Sequence, residues 1–296
     1  MESGKPMKCR SWLFVPADSE RKLSKAAGAG ADAVILDLED AVMPDAKQAA
    51  RSLAGRWLQA HRGTASFSRW VRINALDTAL WREDLRAVLP ENPTGVVVPK
   101  AAGPQQLQEL SAQLLELEES CGLRPNSTRI LALIGETPAA ALSISAYPLT
   151  PLPRLAGLTW GAEDLSLSLG VTRKRTEGSE WADPLRFVRV QVLLAARACG
   201  VAAIDTLHAD FRNTESLKTV AATSRADGFD GMLAIHPDQV PIINAAFGPS
   251  EEELAQARAI VELFAANPGA GALSLAGRMI DQPHLTQAKR LLGLET

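Results

Sequence analysis

Short apolar runs alternate with longer segments of helical pattern along most of this chain. Continuous apolar runs of this length are typical of strands that are buried on both faces. A helical segment follows each run, and after the sixth run it comes behind a long loop. Eight such units in order predict an α/β protein with a (β/α)8 TIM-barrel fold. The predicted strands are Ser11–Pro16, Ala33–Asp40, Arg69–Asn74, Gly95–Lys100, Arg129–Gly135, Leu155–Gly161, Val201–Leu207 and Gly231–Pro237.

The pattern changes in the last fifty or so residues. A segment with Ser250 and Glu253 at capping-box spacing predicts an amphipathic helix. A stretch rich in small residues, 267–281, predicts a turn and a hairpin, and a short helix is expected after it. We expect this C-terminal helical and hairpin extension to pack on the barrel or to reach a neighbouring subunit. The predicted domains are residues 1–248 and residues 249–296.

Composition and charge narrow the class of protein. The chain has 296 residues, 46% of them hydrophobic, and a net charge of -3. Its basic residues are scattered apart from Arg173–Arg175, so no nucleic-acid partner is expected. The three cysteines are far apart and form no CxxC pair, which argues against a disulfide framework and a structural zinc site. With no membrane-spanning stretch and no signal-peptide pattern, we expect a cytoplasmic protein.

Two acids follow neighbouring predicted strands. Glu136 comes directly after the fifth strand, and Asp164 comes after the sixth. The carboxyl ends of parallel strands lie on one face of a barrel, so these carboxylates should converge. They would repel each other unless a cation lies between them, and carboxylate oxygens are ligands for Mg²⁺. The alternative is that both acids are only helix caps at strand ends.

Further charged residues lie at the ends of the second, third and fourth strands. Asp37, Glu39 and Asp40 cluster at the carboxyl end of the second strand. Arg72 lies inside an apolar run, where a cation needs a partner. It either forms a structural ion pair with Asp37 or Glu39 or clamps a substrate carboxylate, and both can hold at once. Lys100 is the last residue of the predicted fourth strand, and its amine is a candidate for a Schiff base.

Other kinds of active site find little support. No GxGxxG follows a strand, which disfavours a dinucleotide-binding fold, and the chain contains no GxSxG. No cysteine lies at a strand end, so a covalent Ser or Cys mechanism is not expected. The remaining polar candidates at strand ends are Asn74, Glu163, Asp205, Asp210 and His236.

Several motifs occur in a fixed order: DLEDAV, VRIN, GETPAA, GAEDL, AIHP and MID. Together they resemble the citrate lyase β-subunit-like group of the HpcH/HpaI aldolase superfamily, over about Ser11 to Leu292. The resemblance implies a Mg²⁺-dependent lyase on a TIM barrel, with Mn²⁺ as an alternative metal. It also implies a β-hydroxyacyl-CoA substrate, with coenzyme A as part of it, and a homo-oligomer, a trimer or a hexamer.

The resemblance also implies roles for single residues. Glu136 and Asp164 would be the metal ligands, and Arg72 would hold the substrate and stabilise the enolate oxygen. Asp281, in MID, would be the acid/base that a neighbouring subunit contributes, so that active sites are shared. Lys100 and Glu136 would border the substrate. The acids that would order metal-bound water and Arg72 are Asp37, Glu39 and Asp40.

The resemblance does not select one substrate among several related CoA thioesters. We expect cleavage of citramalyl-CoA to pyruvate and acetyl-CoA, with malyl-CoA and citryl-CoA as the other lyase substrates. The alternatives are a malyl-CoA thioesterase and a citrate lyase β-type subunit that depends on an acyl carrier protein. Gly135 stands where the motif usually has a larger residue, which suggests a widened pocket. The basic candidates for binding the adenine end of coenzyme A are Arg10, Lys22, Lys25 and Arg173.

Overall fold

The structure, a computed structural model, describes residues 9–177 and 180–294. Eight parallel strands pair in sequence order, and the eighth pairs with the first, so the sheet closes into a barrel. The predicted (β/α)8 fold is therefore confirmed. The barrel strands are β1 (Ser11–Pro16), β2 (Ala33–Asp37), β3 (Ser68–Arg72), β4 (Gly95–Ala101), β5 (Arg129–Ile134), β6 (Leu155–Trp160), β7 (Ala202–Asp205) and β8 (Gly231–Ala234).

Helices follow the strands and supply the outer layer of the core. Leucine, valine and alanine side chains from strands and helices form one large buried cluster. The helices are α1 (Glu20–Ala26), α2 (Lys47–Ala60), α3 (Leu80–Val88), α4 (Pro104–Ser120), α5 (Pro138–Leu142), α6 (Ala162–Leu169), α7 (Asp183–Cys199), α8 (Thr214–Ala226) and α9 (Gln239–Ala246).

A second, smaller cluster comes from the alternate positions of the strands. It contains Trp12 and Trp70, whose ring centroids lie 5.1 Å apart, together with Ile35 and Leu133. Successive side chains of a strand point to opposite faces, so these residues fill the inside of the barrel. Arg72 has the same parity as Trp70, which places this cation on the inner side as well.

The sequence placed most elements correctly and some ends too far along the chain. Strands β2, β3 and β8 are shorter than predicted at their carboxyl ends. Asp37 is therefore the last residue of β2, and Glu39 and Asp40 lie in the loop that follows. Asp164 is not in a loop but in the first turn of α6. The N-cap of α8 is Asn213, whose side chain accepts a hydrogen bond from the backbone N–H of Ser216.

A separate compact unit begins at Gly248. It contains α10 (Glu251–Ala266), the antiparallel hairpin of β9 (Ala272–Leu275) and β10 (Arg278–Asp281), and α11 (Gln282–Leu291). The capping box between Ser250 and Glu253 is present in both directions. The position of this extension on the barrel or on a neighbouring subunit stays a prediction. No helix in the described ranges is both long and apolar enough to cross a membrane.

Candidate active site

A cavity of about 400 Å³ opens at the carboxyl ends of the strands. This is the end at which barrel enzymes carry their chemistry. One part of its wall is polar and mostly acidic, formed by Asp37, Asp40, Arg72, Glu136, Glu163 and Asp164. The rest of the wall is largely apolar and includes Phe14, Leu133, Trp160, Leu207, Leu233 and Ile235.

Glu136 is almost completely buried in this wall, with 1% of its surface exposed. Its Oε2 accepts a hydrogen bond from the backbone N–H of Lys100. Its Oε1 has no hydrogen-bond partner in the described part of the chain. Burial raises the pKa of Glu136 well above its usual value, and the nearby Asp164 carboxylate raises it further. A buried carboxylate with one unsatisfied oxygen is suited to bind a cation.

The backbone on both sides of Glu136 is shaped to hold it there. Thr137 caps α5, because its side chain accepts from the N–H of Ala140. Lys100 has a positive φ of 50° at an irregularity of β4, and this turn aims its N–H at Glu136. Gly161 lies against the carboxylate, since an added Cβ would be only 2.5 Å from Glu136 Oε1. A side chain at this position would therefore displace the carboxylate.

Asp164 completes the pair of acids that the sequence predicted to converge. It is half-buried, lines the same cavity as Glu136 and lies near the N-terminus of α6, where negative charge is favoured. Its neighbour Glu163 instead forms an ion pair with Lys174. The residues fit a Mg²⁺ ion, which needs one or two carboxylates and keeps several waters. Within the described residues, no group of three or more His, Cys, Asp or Glu forms a more complete metal cage.

Arg72 is held by two acids, one at the end of β2 and one in the loop that follows it. Its Nε and Nη2 donate to the two carboxylate oxygens of Asp37 at 2.8 and 2.6 Å. Its Nη1 lies 2.9 Å from Glu39 Oε2 in a second ion pair, and its guanidinium packs on the ring of Phe14. Burial lowers the pKa of Arg72, but Asp37, Glu39 and Asp40 together more than offset this, so the pKa is raised. The predicted structural ion pair is therefore present, and Arg72 also faces the cavity.

Lys100 is paired in a similar way. Its Nζ contacts Glu39 and lies 3.0 Å from an Asp40 carboxylate oxygen. Burial lowers the pKa of Lys100, but hydrogen bonds to the two acids raise it by more. The side chain thus stays a protonated ammonium, which is not a nucleophile. This arrangement disfavours the Schiff-base alternative.

Comparison with known proteins agrees with this site. The family model described as HpcH/HpaI aldolase/citrate lyase matches residues 10–237. The chain belongs to this family. Aldolases and lyases break carbon–carbon bonds, so the predicted enzyme class, a carbon–carbon lyase, is confirmed along with the family.

Relatives match over almost the whole chain. A citrate lyase subunit beta-like protein of Mycobacterium tuberculosis is 39% identical over 95% of this chain and 93% of its own length. The citrate lyase subunit beta of Haemophilus influenzae is 35% identical over 96% of this chain and 95% of its own. A (3S)-malyl-CoA thioesterase of Cereibacter sphaeroides is 34% identical over 96% of this chain and 93% of its own.

A solved structure of protein CitE from Mycobacterium tuberculosis superimposes with a TM-score of 0.75 at 36% identity. The match covers 97% of both chains, and that structure contains magnesium, acetoacetate and coenzyme A. The cofactor and the substrate group expected from the sequence are thus both present in a relative.

Some predicted residues of this family member lie elsewhere or serve the fold. Asp205 is buried and accepts hydrogen bonds from Trp160, Arg189 and Ser224, so it braces the barrel. His236 accepts from the N–H of Asp238 through Nδ1 and stacks on Phe211. Asp281 lies in the C-terminal unit at the end of β10, where its contact with His284 lowers the pKa of the carboxyl. Its part in catalysis stays a prediction.

Two predictions about the pocket are wrong. Gly135 does not widen it, because an added Cβ would point at Val188 Cγ1, 2.8 Å away, and at Ile144. Those side chains belong to the outer part of the core, and a φ of +75° independently favours glycine. Arg10 precedes β1 at the opposite end of the barrel and pairs with Asp32, so it does not lie at the cavity mouth.

The sequence analysis did not identify one residue that supports the site. Lys47, the first residue of α2, is 9% exposed, and its ammonium donates to the carbonyl oxygens of Leu38 and Glu39. Helical pattern gives no warning of such a role, because the partners are backbone atoms.

Proposed function

We propose that this protein is a Mg²⁺-dependent lyase that cleaves a β-hydroxyacyl-CoA thioester to a 2-oxo acid and acetyl-CoA. The observation that carries the proposal is the buried Glu136, with one oxygen unsatisfied, beside Asp164 in a cavity that Arg72 also lines. Glu136 and Asp164 would hold Mg²⁺, which when bound acidifies the substrate hydroxyl and polarises the developing oxo group.

In the remaining steps, a carboxylate transfers the proton and a cation stabilises the enolate. A carboxylate base removes the hydroxyl proton, the carbon–carbon bond breaks, and its electron pair passes to the thioester as an enolate. Arg72 is permanently cationic and fixed in direction, so it is placed to stabilise the enolate oxygen. A proton is then returned to the enolate carbon to give acetyl-CoA. Asp37 and Glu39 keep Arg72 aligned throughout.

The proposed base is Asp281 of a neighbouring copy of the chain. The contact with His284 lowers the pKa of this carboxyl, so it is ionised at neutral pH. This assignment requires a homo-oligomer, for which a trimer or a hexamer is proposed, with active sites shared between copies. We also propose that the enzyme is cytoplasmic, since its substrate is a CoA thioester.

Charge in the cavity favours citramalyl-CoA among the three esters. Citryl-CoA has a carboxymethyl group where citramalyl-CoA has a methyl group, so it carries one more carboxylate in the part that becomes the oxo acid. Of the described residues that line the cavity, Arg72 is the one cation, and it already lies between Asp37 and Glu39. An additional carboxylate would meet a mostly acidic wall. The methyl group of citramalyl-CoA suits the apolar wall around Leu133 and Leu233 better than the hydrogen of malyl-CoA does.

A second candidate is a thioesterase acting on malyl-CoA. The relatives from Cereibacter sphaeroides that carry this name favour it, at 33% and 34% identity. In that reaction water would add to the thioester, releasing the coenzyme A thiol and intact malate. A third candidate, suggested by relatives named citrate lyase subunit beta, is a subunit that acts only on esters of an acyl carrier protein.

One assay separates these functions. Purified protein with Mg²⁺ is offered malyl-CoA, citramalyl-CoA and citryl-CoA in parallel, and the 2-oxo acid and the free thiol are measured separately. Pyruvate from citramalyl-CoA, abolished by EDTA, is the expected result. Thiol without oxo acid would mean a thioesterase. No turnover of any free ester would reject both activities and favour the carrier-dependent subunit.

A further inference from the structure

Lys47 is a buried cation whose three hydrogens are all used. Its Nζ donates to the carbonyl oxygens of Leu38 and Glu39, both at 2.7 Å, and to Asn74 Oδ1 at 2.8 Å. An ammonium group has three donors, so this bonding is complete. Two of the acceptors belong to the loop that follows β2, and the third follows β3.

On the side away from the cavity, the contacts of Lys47 lead through Asn74 to the buried Asp84. Asp84 is fully buried and accepts from the backbone N–H of Asn74 at 2.8 Å and from its side-chain amide at 2.7 Å. Arg51, one helical turn after Lys47 on α2, donates to the other oxygen of Asp84 at 2.7 Å. Lys47 is therefore held by α2, α3 and the end of β3 together.

On the side towards the cavity, Lys47 fixes the segment that carries Asp37 and Glu39, the two acids that bind Arg72. Asp37 Oδ1 accepts from the N–H of Glu39 at 2.9 Å and from Arg72 Nε at 2.8 Å. Movement of the segment Asp37–Glu39 would thus move both carboxylates that hold Arg72. The described lining of the cavity includes neither Lys47 nor Asn74, so Lys47 does not touch a substrate there.

We propose that Lys47 is a positioning residue that fixes the loop after β2 and, through Asp37 and Glu39, the guanidinium of Arg72. It donates to two adjacent carbonyl oxygens, each of which accepts one further hydrogen bond, from Asn74 Nδ2 and from the N–H of Val42. In this way it sets the direction in which the enolate-stabilising charge points. The kinetic part of this inference rests on the proposed lyase activity, and its structural part does not.

The first test is the variant Lys47→Met, which keeps length and removes the donors. The rate constant kcat for oxo-acid release should fall about 10- to 100-fold, as for other residues that orient active-site groups. KM should stay within about twofold, because substrate contacts are untouched. Combined with Arg72→Lys, the variant should cause no further loss, since the group that it positions is already changed.

Arg69→Met is the matched control. Arg69 lies on the same strand as Arg72 but at its other end, and it too donates to backbone carbonyls, those of Leu58, Glu91 and Asn92. Its removal should lower stability and leave kcat unchanged. If Lys47→Met folds poorly, Asn74→Ser removes one acceptor of Lys47 more gently and should lower kcat in the same direction.

A second readout needs no turnover. The N–H of Leu38 donates to the Arg72 carbonyl at 3.0 Å, and the N–H of Val42 donates to the Glu39 carbonyl at 3.0 Å. Peptides that cover residues 38–42 should exchange deuterium at least about tenfold faster in Lys47→Met and unchanged in Arg69→Met. If wild-type protein turns over no ester, the proposed function fails, and this exchange measurement alone decides the positioning role.

Three results would overturn the inference. These are unchanged exchange in the loop, a kcat equal to that of wild type in folded Lys47→Met, and a loss that adds fully to that of Arg72→Lys.

Discussion

Asp37 and Arg72 lie opposite each other in the register of β2 and β3, and two hydrogen bonds of 2.8 and 2.6 Å join their side chains. The parallel pairing of the strands thus brings a buried cation and its carboxylate together at the mouth of the barrel. An arginine bound at both edges of its fork has a fixed direction. A charge fixed before the reaction stabilises developing negative charge without reorganisation.

Replacing Arg72 by lysine keeps the charge and removes the fork. A single ammonium cannot satisfy both oxygens of Asp37 and still reach Glu39. We expect kcat for oxo-acid release to fall about 100- to 1,000-fold, as when one oxyanion donor is lost. Steady-state kinetics with citramalyl-CoA measure the change. A variant that retains more than half of the wild-type kcat would show that the direction of the charge does not matter.

Gly161→Ala should weaken metal binding without replacing a metal ligand. The added Cβ would lie 2.5 Å from Glu136 Oε1 and must push the carboxylate aside. We expect the dissociation constant for Mg²⁺ or Mn²⁺, measured by calorimetry or by the EPR signal of free Mn²⁺, to rise about tenfold or more. Gly28→Ala is the control, because its nearest neighbour would be 3.9 Å away. Equal metal affinity in both variants would contradict the assignment of Glu136.

Gly135→Ala should lower stability and leave substrate choice alone. The residue has φ +75°, and its added Cβ would lie 2.8 Å from Val188 Cγ1. We expect a loss of about 2 kcal/mol in the free energy of unfolding. Gly30→Ala shares a similar φ of +73° with nothing within 4 Å, so it should lose only about 1 kcal/mol. Urea denaturation measures both, and a changed ratio of kcat/KM between esters in Gly135→Ala would restore the widened-pocket hypothesis.

The fold could be predicted from the sequence because each barrel strand is a short apolar run with an acid or a turn at its end. The pairing of Arg72 with Asp37 or Glu39 could also be predicted, since a cation inside an apolar run requires a carboxylate partner. The sequence did not predict the side to which a Cβ at position 135 would point, because this depends on which residues of β5 face outwards and on a positive φ. Lys47 was missed because its acceptors are mainly backbone carbonyls, which no pattern of side chains records.

A second buried ion pair gives a prediction about pH. Burial raises the pKa of Glu118, but Arg154 and the backbone N–H groups of Asn126 and Thr128 lower it by more, to about 2. A depressed folded-state pKa gives stability that is present above the unfolded value, about 4.5, and is lost as the pH falls towards 2.

The variant Glu118→Gln tests this. Wild type should exceed it by about 3 kcal/mol in unfolding free energy at pH 6. The difference should shrink as the pH falls below about 4.5. Glu116→Gln, on the exposed face of the same helix, should match wild type at each pH. A difference between wild type and Glu118→Gln that stays constant from pH 6 to pH 3 would exclude the linkage.

The central claim is that Glu136 and Asp164 hold the metal on which carbon–carbon cleavage depends. The most direct measurement is pyruvate release from citramalyl-CoA as a function of Mg²⁺ concentration, in wild type, Glu136→Gln, Asp164→Asn and the control Glu163→Gln. Glu163 lines the same cavity but is paired with Lys174. We expect a saturable Mg²⁺ dependence in wild type and in the control, and at least about a 1,000-fold loss in the other two variants. Mg²⁺-dependent cleavage at the wild-type rate in Glu136→Gln or Asp164→Asn would contradict the account.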